Sequence, residues 1–431
     1  MLKTHDCGEL REKHIGQQVT LSGWVHRRRD HGGIIFIDLR DSTGLVQVVF
    51  NPEHASEASL VVSDARDEYV LQITGEVECR YEGTENTDLA TGAIEIQANV
   101  ASVINDAKTP PFPINQEAKV GDALRLRYRY LDLRRERMAR NLRLRHRILK
   151  LIRHFHDIRG FIEVETPVLG LATPEGARDY LVPSRIHPGS FYALPQSPQQ
   201  WKQLLMVAGV DRYYQIARCY RDEDLRADRQ PEFTQLDAEM SFVDEEDVIK
   251  FNEELLVVLA QEFVPEKQFD LNFPRLTYME AQERFGTDKP DIRYGLELQD
   301  LTAYVQDSEF RVFADAIAAG GRVRAISVPG GADTSRKEID RLTETAREAG
   351  AKGIVWVQFE GEGTLERLTD EEVKSPISRF FDTEVLSELG RVCGASRGDM
   401  LLIAADQDTV TSRVLDVLRR QLAEERGLID S

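Results

Sequence analysis

Residues 220–237 read Tyr-Arg-Asp-Glu-Asp-Leu-Arg-Ala-Asp-Arg-Gln-Pro-Glu-Phe-Thr-Gln-Leu-Asp. The stretch places Arg221 and several carboxylates around one polar turn, and the stackable ring of Phe233 follows the turn. A planar guanidinium can hold a carboxylate and a phosphate oxygen together, so Arg221 is the strongest candidate for a catalytic residue. A charged hairpin with internal ion pairs would explain residues 221–226, but not the later offsets of Phe233 and Asp237.

Two upstream segments supply further charges. Residues 173–180 place Glu175 in a glycine turn, and residues 196–203 predict a helix with Ser197 as its cap and Lys202 one turn in. An amino-acid substrate needs an anion for its ammonium group and a cation for a side-chain carboxylate. Glu175 and Asp237 on one side and Lys202 on the other fit this need, although Lys202 alone could equally be a surface lysine.

Size and composition limit the class of protein. A chain of 431 residues predicts two or three domains, and 41% hydrophobic with 30% charged residues is typical of globular proteins. There is no apolar run of about eighteen residues and no signal-peptide layout at the N-terminus, so we expect a cytoplasmic protein without membrane contact. The four cysteines are far apart and indicate neither disulfides nor a zinc site.

The net charge of −19 is unevenly distributed. Residues 121–160 carry thirteen Lys or Arg against four Asp or Glu. A basic stripe on an acidic protein suits a reversible polyanion partner. A solvated helix face paired with acidic residues elsewhere fits the charge pattern equally well.

The N-terminal region reads as a small barrel. Short alternating strands between residues 18 and 105, with a helical piece near 55–67, predict five strands with one helix between the third and the fourth. This is the layout of an OB-fold, which often binds nucleic acid. Residues 27–29, three arginines, are expected in the first inter-strand turn, with Phe36 on the next strand as a stacking surface. A ring in the barrel core is the alternative for Phe36.

The rest of the chain divides where the pattern of predicted helices, strands and loops changes. We expect an OB-fold domain over 1–107, a hinge at 108–133, a catalytic part over 134–295 and a further domain over 296–431. The catalytic part should begin with a helix over 134–159 and a strand over 161–169, whose Pro167 confines it to an edge or an interface. From about 296, alternating strands and helices predict an α+β or α/β module.

These motifs resemble those of one family. Residues 220–237 are similar to motif 2 of the class II aminoacyl-tRNA synthetases, and Gly160–Leu169 is similar to motif 1. Together with Gly23–Asp30, Gly176–Tyr180 and Ala193–Pro198, they resemble the bacterial-type aspartyl-tRNA synthetases over the whole chain. The resemblance implies a multidomain α+β protein with an OB-fold that reads the anticodon, an antiparallel-sheet catalytic domain and an α/β bacterial insertion domain. It also implies a homodimer with Pro167 at its interface.

The resemblance implies roles for individual residues. The family activates L-aspartate with ATP to aspartyl-adenylate and transfers it to tRNA-Asp. Arg221 would contact both the aspartate and the α-phosphate. The remaining ATP contacts would be Asp222, Glu223, Gln230 and Phe233, the last stacked on adenine. The remaining aspartate contacts would be Glu175, Ser197, Gln199, Lys202 and Asp237, with Lys202 holding the side-chain carboxylate. The anticodon contacts would be Arg27, Arg29, Phe36 and Gln47.

His31 and Gly83 resemble residues of the relaxed bacterial subclass, which charges both tRNA-Asp and tRNA-Asn. A loop histidine and a turn glycine also have ordinary structural explanations. The breadth of tRNA specificity therefore stays open on sequence grounds.

Some family features are missing from the sequence. It contains no His-His-Pro-Phe loop, no late acidic Mg²⁺ ligand and no motif 3 strand. We therefore expect a partial chain that is inactive or feeble alone, without a metal ligand of its own. A non-catalytic tRNA-binding paralogue is the alternative. Robust aspartate-dependent ATP–pyrophosphate exchange by this chain would contradict the expected inactivity.

Overall fold

The computed structural model describes residues 2–173, 175–224 and 229–429. Pro174 of the glycine turn and residues 225–228 of the motif 2 stretch lie outside the described residues. Backbone contacts divide the chain into two compact units, Met1–Phe269 and Asp270–Ser431. The second unit begins before the boundary expected at about 296, because the helix Tyr278–Phe285 packs against the last helix of that unit.

Residues 18–105 form a closed barrel. Its elements are β1 (Gln18–His31), β2 (Ile34–Arg40), β3 (Leu45–Phe50), α1 (Ser56–Val62), β4 (Val70–Cys79) and β5 (Ile94–Asn105). The strand order around the barrel is β1-β2-β3-β5-β4. Along β2, Ile35, Ile37 and Leu39 are buried in the core, whereas Phe36 and Asp38 lie on the outer face and are only half-buried. The OB-fold expected from the sequence is confirmed, and the barrel-core alternative for Phe36 is wrong.

The three arginines at 27–29 do not lie in a turn. They belong to β1, which continues to His31 and pairs there with Ile34 of β2. The turn itself consists of Gly32 and Gly33, whose φ angles of 64° and 94° favour glycine. The strand extends further than the sequence suggested because cross-strand pairing with β2 holds its polar end.

A half-buried histidine, His26, gives the barrel a pH dependence. Burial, followed by the charge of Arg40, lowers the pKa of His26 to about 4. Arg40 Nη1 lies 3.0 Å from His26 Nδ1, which must accept this hydrogen bond and so carries no proton. The unfolded chain takes up this proton near pH 6.5, so stability should fall as the pH drops from about 6.5 towards 4.

We expect the substitution His26→Gln to reduce this loss of stability at acid pH. Glutamine can still accept a hydrogen bond from Arg40, but it does not titrate. The measurement is the melting temperature of the wild-type chain and the variant at pH 7 and pH 4.5. The exposed His54, replaced in the same way, is the matched control. Equal falls in melting temperature between pH 7 and pH 4.5 in wild type and His26→Gln would contradict the assignment of this pH dependence to His26.

The second half of the first unit is an α+β arrangement. Its helices are α2 (Asp122–Arg127), α3 (Arg129–Asp132), α4 (Glu136–Asp157), α5 (Gln199–Val207) and α6 (Glu245–Phe263), and its strands are β6 (Ile162–Glu163), β7 (Leu181–Pro183), β8 (Phe191–Ala193), β9 (Arg212–Tyr220) and β10 (Glu232–Met240). Strands β10, β9 and β6 form one sheet in that order, with β9 and β10 antiparallel. One face of this sheet packs on α4 and α6 through Ile152, Phe155 and Leu255.

The strand expected over 161–169 is mostly wrong. Only Ile162 and Glu163 form β6, an edge strand parallel to β9. Beyond β6, Val164 N donates to Tyr214 O at 3.2 Å, and then Pro167, which has no N–H to donate, follows. Strand β6 lies at the edge of its sheet, as expected, but Pro167 lies beyond it, and an interface at Pro167 stays a prediction.

The second unit is built on an antiparallel sheet. Its helices are α7 (Tyr278–Phe285), α8 (Thr302–Val305), α9 (Arg311–Ala318), α10 (Arg336–Glu348), α11 (Thr383–Val392) and α12 (Asp408–Glu425), and its strands are β11 (Gln299–Asp300), β12 (Arg322–Val328), β13 (Val355–Phe359), β14 (Val373–Lys374) and β15 (Met400–Asp406). The sheet order is β11-β12-β15-β13-β14, and two apolar cores use alternate residues of its strands. Of the two architectures left open by the sequence, this is α+β.

Candidate functional site

Strands β9 and β10 form the floor of the candidate site. They pair with Cys219 opposite Phe233 and with Gln215 opposite Asp237. Because side chains alternate along a strand, residues two apart share a face. The face turned away from α4 and α6 carries Gln215, Cys219, Phe233, Gln235, Asp237 and Glu239, and Arg221 extends it beyond β9.

Arg221 packs against Phe233 on this face. Its Cζ atom lies 5.0 Å from the centre of the Phe233 ring, within cation–π distance. The Arg221 backbone N–H donates to Pro231 O at 2.9 Å, which prolongs the pairing of the two strands by one residue. The structure therefore brings Arg221 and Phe233 together on one face, and their role in binding stays a prediction.

Lys202 contacts two carboxylates of the same face. Its Nζ lies 2.9 Å from Asp237 Oδ1 and 3.1 Å from Glu239 Oε2. Burial opposes the charge of Lys202, but the hydrogen bonds and charges of the two carboxylates raise its pKa above the ordinary value. Lys202 is thus a half-buried, fully charged cation on the floor of the site rather than a surface lysine.

Asp237 has an unpaired oxygen. The residue is 9% exposed, and its Oδ2 atom has no hydrogen-bond partner among the described residues. A buried carboxylate oxygen without a donor is costly, so the site has an unused acceptor for a ligand. Burial, with Asp237 as the second cause, also raises the pKa of the neighbouring Tyr213 hydroxyl.

Ser197 does not cap a helix as expected. Helix α5 begins at Gln199 after Pro198, which has no side chain able to cap it. Ser197 Oγ instead donates to Glu175 Oε2 at 2.9 Å. The helix cap expected of Ser197 is wrong, whereas its expected contact with aspartate stays a prediction. The structure places Ser197 beside Glu175, and Gln199 begins the helix that carries Lys202.

The turn after β9 carries the remaining residues of the motif 2 stretch. Glu223 lies 3.7 Å from Arg229, and both side chains are well exposed. Asp222 N donates to Arg178 O at 3.0 Å, and Gln230 is exposed. An exposed ion pair at this distance contributes little stability.

The barrel brings most of its candidate residues onto one outer surface. Pairing sets Arg29 opposite Phe36, Arg27 opposite Asp38, and Asp38 opposite Gln47. His31 lies on the same side of β1, with its ring edge-on to Phe36 at 5.7 Å. Gly83 lies apart from these pairs, in the loop between β4 and β5, with a φ of 84°.

A hydrogen-bonded network orients Gln47 on this surface. Arg29 Nη2 donates to Asp38 Oδ1 at 2.7 Å and to Gln47 Oε1 at 3.2 Å. Gln47 Nε2 in turn donates to Glu95 Oε2 at 2.8 Å. The amide of Gln47 therefore has one defined orientation.

Sequence reasoning missed Glu239, Asp38 and Glu95. The signal for Glu239 was the alternation of Phe233, Gln235, Asp237 and Glu239 along one strand. Asp38 and Glu95 lie on strands that were predicted, but their partners depend on strand register. Charged residues on the polar face of a strand could thus have been added to the candidate set.

The described residues contain neither a cluster of metal ligands nor a membrane-spanning helix. Among residues 2–173, 175–224 and 229–429, no group of three His, Cys, Asp or Glu side chains is placed to hold a metal ion. No helix in this part of the chain is long and apolar enough to cross a membrane.

Comparison with protein families matches two regions. Residues 121–402 match the family described as tRNA synthetases class II (D, K and N), and residues 19–104 match the OB-fold nucleic acid binding domain. A solved asparaginyl-tRNA synthetase from Pyrococcus horikoshii, complexed with asparaginyl-adenylate, has a TM-score of 0.57 at 20% identity, over 97% of this chain and 96% of that chain. At this identity the likeness shows a shared fold.

Curated relatives are much closer in sequence. The chain is 54% identical to the aspartate–tRNA(Asp/Asn) ligase of Bacillus subtilis, over 99% of this chain and 71% of the relative. It is 52% identical to the aspartate–tRNA ligase of Geobacillus kaustophilus, over 100% of this chain and 71% of the relative. These matches do not by themselves support the expectation that a C-terminal part is missing, and it stays a prediction. The chain belongs to the bacterial-type aspartyl-tRNA synthetases, a family of class II aminoacyl-tRNA ligases.

Proposed function

We propose that the floor of β9 and β10 binds L-aspartate and ATP and joins them as aspartyl-adenylate. The observation that carries this proposal is Lys202, a half-buried cation held by Asp237 and Glu239, which share a face with Arg221. Lys202 would bind the side-chain carboxylate of aspartate. Asparagine would leave Lys202 facing a neutral amide, which costs more than a difference in shape.

Asp237 and Glu175 are candidate acceptors for the ammonium group of aspartate. The unpaired Asp237 Oδ2 can accept a hydrogen bond from one N–H of the ammonium group, and Glu175 supplies a second carboxylate. Gln199 at the start of α5 and Ser197 beside Glu175 complete this set. Two carboxylates for one ammonium fit the charge of the substrate.

ATP would bind next to Arg221 and the motif 2 turn. Adenine can stack on the ring of Phe233, whose other face carries the Arg221 cation. Asp222, Glu223 and Gln230 have exposed side chains in the turn that could contact the nucleotide. ATP enters as its Mg²⁺ complex, a substrate whose metal is held by the phosphates.

The chemistry is an in-line displacement. A carboxylate oxygen of aspartate attacks the α-phosphorus, a new P–O bond forms and pyrophosphate leaves. Arg221 can contact both the attacking carboxylate and the α-phosphate, which offsets the repulsion between the two anions. A ribose hydroxyl of the tRNA then attacks the acyl carbon, and AMP leaves with its bonding electron pair.

Amino-acid selectivity tests the proposal for the floor of the site. In calorimetry with a non-hydrolysable ATP analogue, we expect aspartate to bind and asparagine, glutamate and lysine to bind at least about tenfold more weakly. Equal binding of aspartate and asparagine would contradict the assignment of Lys202.

The outer surface of the barrel would read the anticodon of tRNA-Asp. Phe36 offers a stacking face, while Gln47 and Arg29 offer oriented hydrogen bonds beside it. Arg27 lies on the same side and can neutralise phosphate. Unpaired bases are recognised in this way on many barrels of this type.

We expect the substitution Phe36→Ala to weaken the binding of a tRNA-Asp transcript by about tenfold, because stacking of one base contributes about 1–3 kcal/mol. Phe36 lies outside the barrel core, so the melting temperature should hardly change. Filter binding at fixed salt measures the effect. The control is Phe242→Ala, which removes a 97% exposed ring elsewhere. A loss that persists with a transcript carrying an unrelated anticodon would contradict the assignment.

Relaxed tRNA specificity extends this proposal. The His31 ring touches Phe36 on the candidate surface, Gly83 leaves the loop between β4 and β5 without a side chain at this position, and several relatives carry the name aspartate–tRNA(Asp/Asn) ligase. We expect transcripts of tRNA-Asp and tRNA-Asn to bind within about threefold of each other. A preference of tenfold or more for tRNA-Asp would contradict it.

A homodimer is part of the same proposal. Pro167 is exposed beside the edge strand β6, and its neighbours Val168 and Leu169 are 45% and 53% exposed. An apolar strip at a sheet edge favours a partner. Light scattering should give twice the chain mass, and Leu169→Glu should lower it; a monomeric wild type would contradict the dimer.

A further inference from the structure

Gln196 is a buried amide that no role described above uses. It lies between β8 and α5 and is 2% exposed. Its Oε1 accepts from Ala177 N at 3.0 Å, and its Nε2 donates to Ala177 O at 2.9 Å and to Asp179 Oδ1 at 2.5 Å. All three hydrogen bonds go to residues 177–179 of the segment that carries Glu175.

Few apolar contacts hold this segment. Leu171 is 85% exposed, and Ala172, Gly176 and Arg178 are also exposed. Its tertiary attachments are polar instead: Ser197 donates to Glu175, and Asp222 N donates to Arg178 O. The position of the segment therefore depends on hydrogen bonds, among which those of Gln196 are the most buried.

Gln196 also connects this segment to the floor of the site. Its neighbour Pro195 accepts a hydrogen bond from Tyr220 N at 2.9 Å, at the end of β9 and one residue before Arg221. Asp179, the partner of Gln196, accepts from Thr173 N at 3.2 Å and so ties the two ends of the turn together. One buried amide thus joins the Glu175 turn to the strand that leads to Arg221.

We propose that Gln196 is a positioning residue, which holds residues 175–180 in place so that Glu175 faces the ammonium group of the amino acid. The proposal rests on the assignment of Glu175 to aspartate. Loss of the Gln196 hydrogen bonds would leave Ala177 and Asp179 without their buried partner and would free the turn. Glu175 would then spend less time at its binding position, while the ATP side of the site would be unchanged.

The test compares four variants of the whole chain with wild type. Gln196→Met keeps the length of the side chain without hydrogen bonds, and Gln196→Glu sets a carboxylate against Asp179. Combining Gln196→Glu with Asp179→Asn restores a donor–acceptor pair. Gln203→Glu, an exposed position of α5, is the control for charge.

Calorimetry with a sulfamoyl analogue of aspartyl-adenylate should show affinity falling about tenfold or more in Gln196→Met and Gln196→Glu. ATP affinity should stay within about twofold, hydrogen exchange at 175–180 should rise, and the double variant should recover most of the affinity. A purely structural role would weaken ATP and analogue binding together and would give no recovery.

The outcomes separate the two proposals. If wild type does not bind the analogue, the assignment of the site fails. If wild type binds and Gln196→Met binds equally well, only the role of Gln196 fails. If Gln196→Met does not fold, the comparison of Gln196→Glu with its double variant decides: equal analogue affinities in those two variants would overturn the proposal.

Discussion

Replacement of Arg221 by lysine is expected to weaken binding of the aspartyl-adenylate analogue by about 100- to 1000-fold. Arg221 would contact both the aspartyl and the phosphate-like portions, and two charge-assisted hydrogen bonds contribute about 3–4 kcal/mol together. Lysine keeps the charge but not the planar fork, so it cannot serve both groups in one geometry. Calorimetry of wild type and Arg221→Lys measures the effect.

The same strand offers a matched control. Arg218 lies three residues earlier on the opposite face of β9, where it is exposed and pairs with Glu232. Arg218→Lys should leave analogue binding unchanged within about twofold, because an exposed ion pair contributes little. Similar losses in Arg218→Lys and Arg221→Lys would show that the effect is not specific to the site.

Replacement of Lys202 by methionine is expected to remove amino-acid discrimination. The ratio of the asparaginyl-analogue to the aspartyl-analogue dissociation constant should drop from about 100 or more to below about ten. The variant would leave Asp237 and Glu239 facing the substrate carboxylate without a cation between them. The two dissociation constants, measured on the same protein, give this ratio directly.

Using a ratio separates recognition from stability. Lys202→Met also leaves two carboxylates without their partner and should destabilise the chain, but both analogues are then affected equally. Lys150→Met, at an exposed position of α4, controls for loss of a lysine. An unchanged ratio in Lys202→Met would mean that another group recognises the side-chain carboxylate.

Hydrophobic periodicity along the sequence predicted those strands and helices whose formation depends on neighbouring residues. The alternation in β2 and the helical spacing of α4 are set by neighbours in sequence, and α4 forms over Glu136–Asp157, close to the expected 134–159. The strand expected over 161–169 is cut short because its pairing with β9 ends after Glu163, although β9 itself continues to Tyr220. The early start of the second unit depends on the packing of α7, which composition does not report.

In the candidate site, too, local motifs were recognised from the sequence, whereas contacts between distant segments were not. Motif spacing singled out Arg221, Phe233 and Asp237, which the structure brings onto one face, and Lys202 of α5, which contacts Asp237 on that face. Ser197 was assigned to a cap because its sequence context is that of a helix start, whereas Glu175 competes for its hydroxyl across 22 positions. Contacts between distant segments depend on tertiary packing and strand register, and residue type alone does not specify them.

The central claim is that this floor recognises aspartate through its side-chain carboxylate. The most direct measurement is calorimetry of the wild-type chain with aspartyl and asparaginyl sulfamoyl-adenosine, two ligands that differ only in the group facing Lys202. We expect the aspartyl compound to bind at least about 100-fold more tightly, a difference of about 2.7 kcal/mol. Equal affinities, or tighter binding of the asparaginyl compound, would contradict the account.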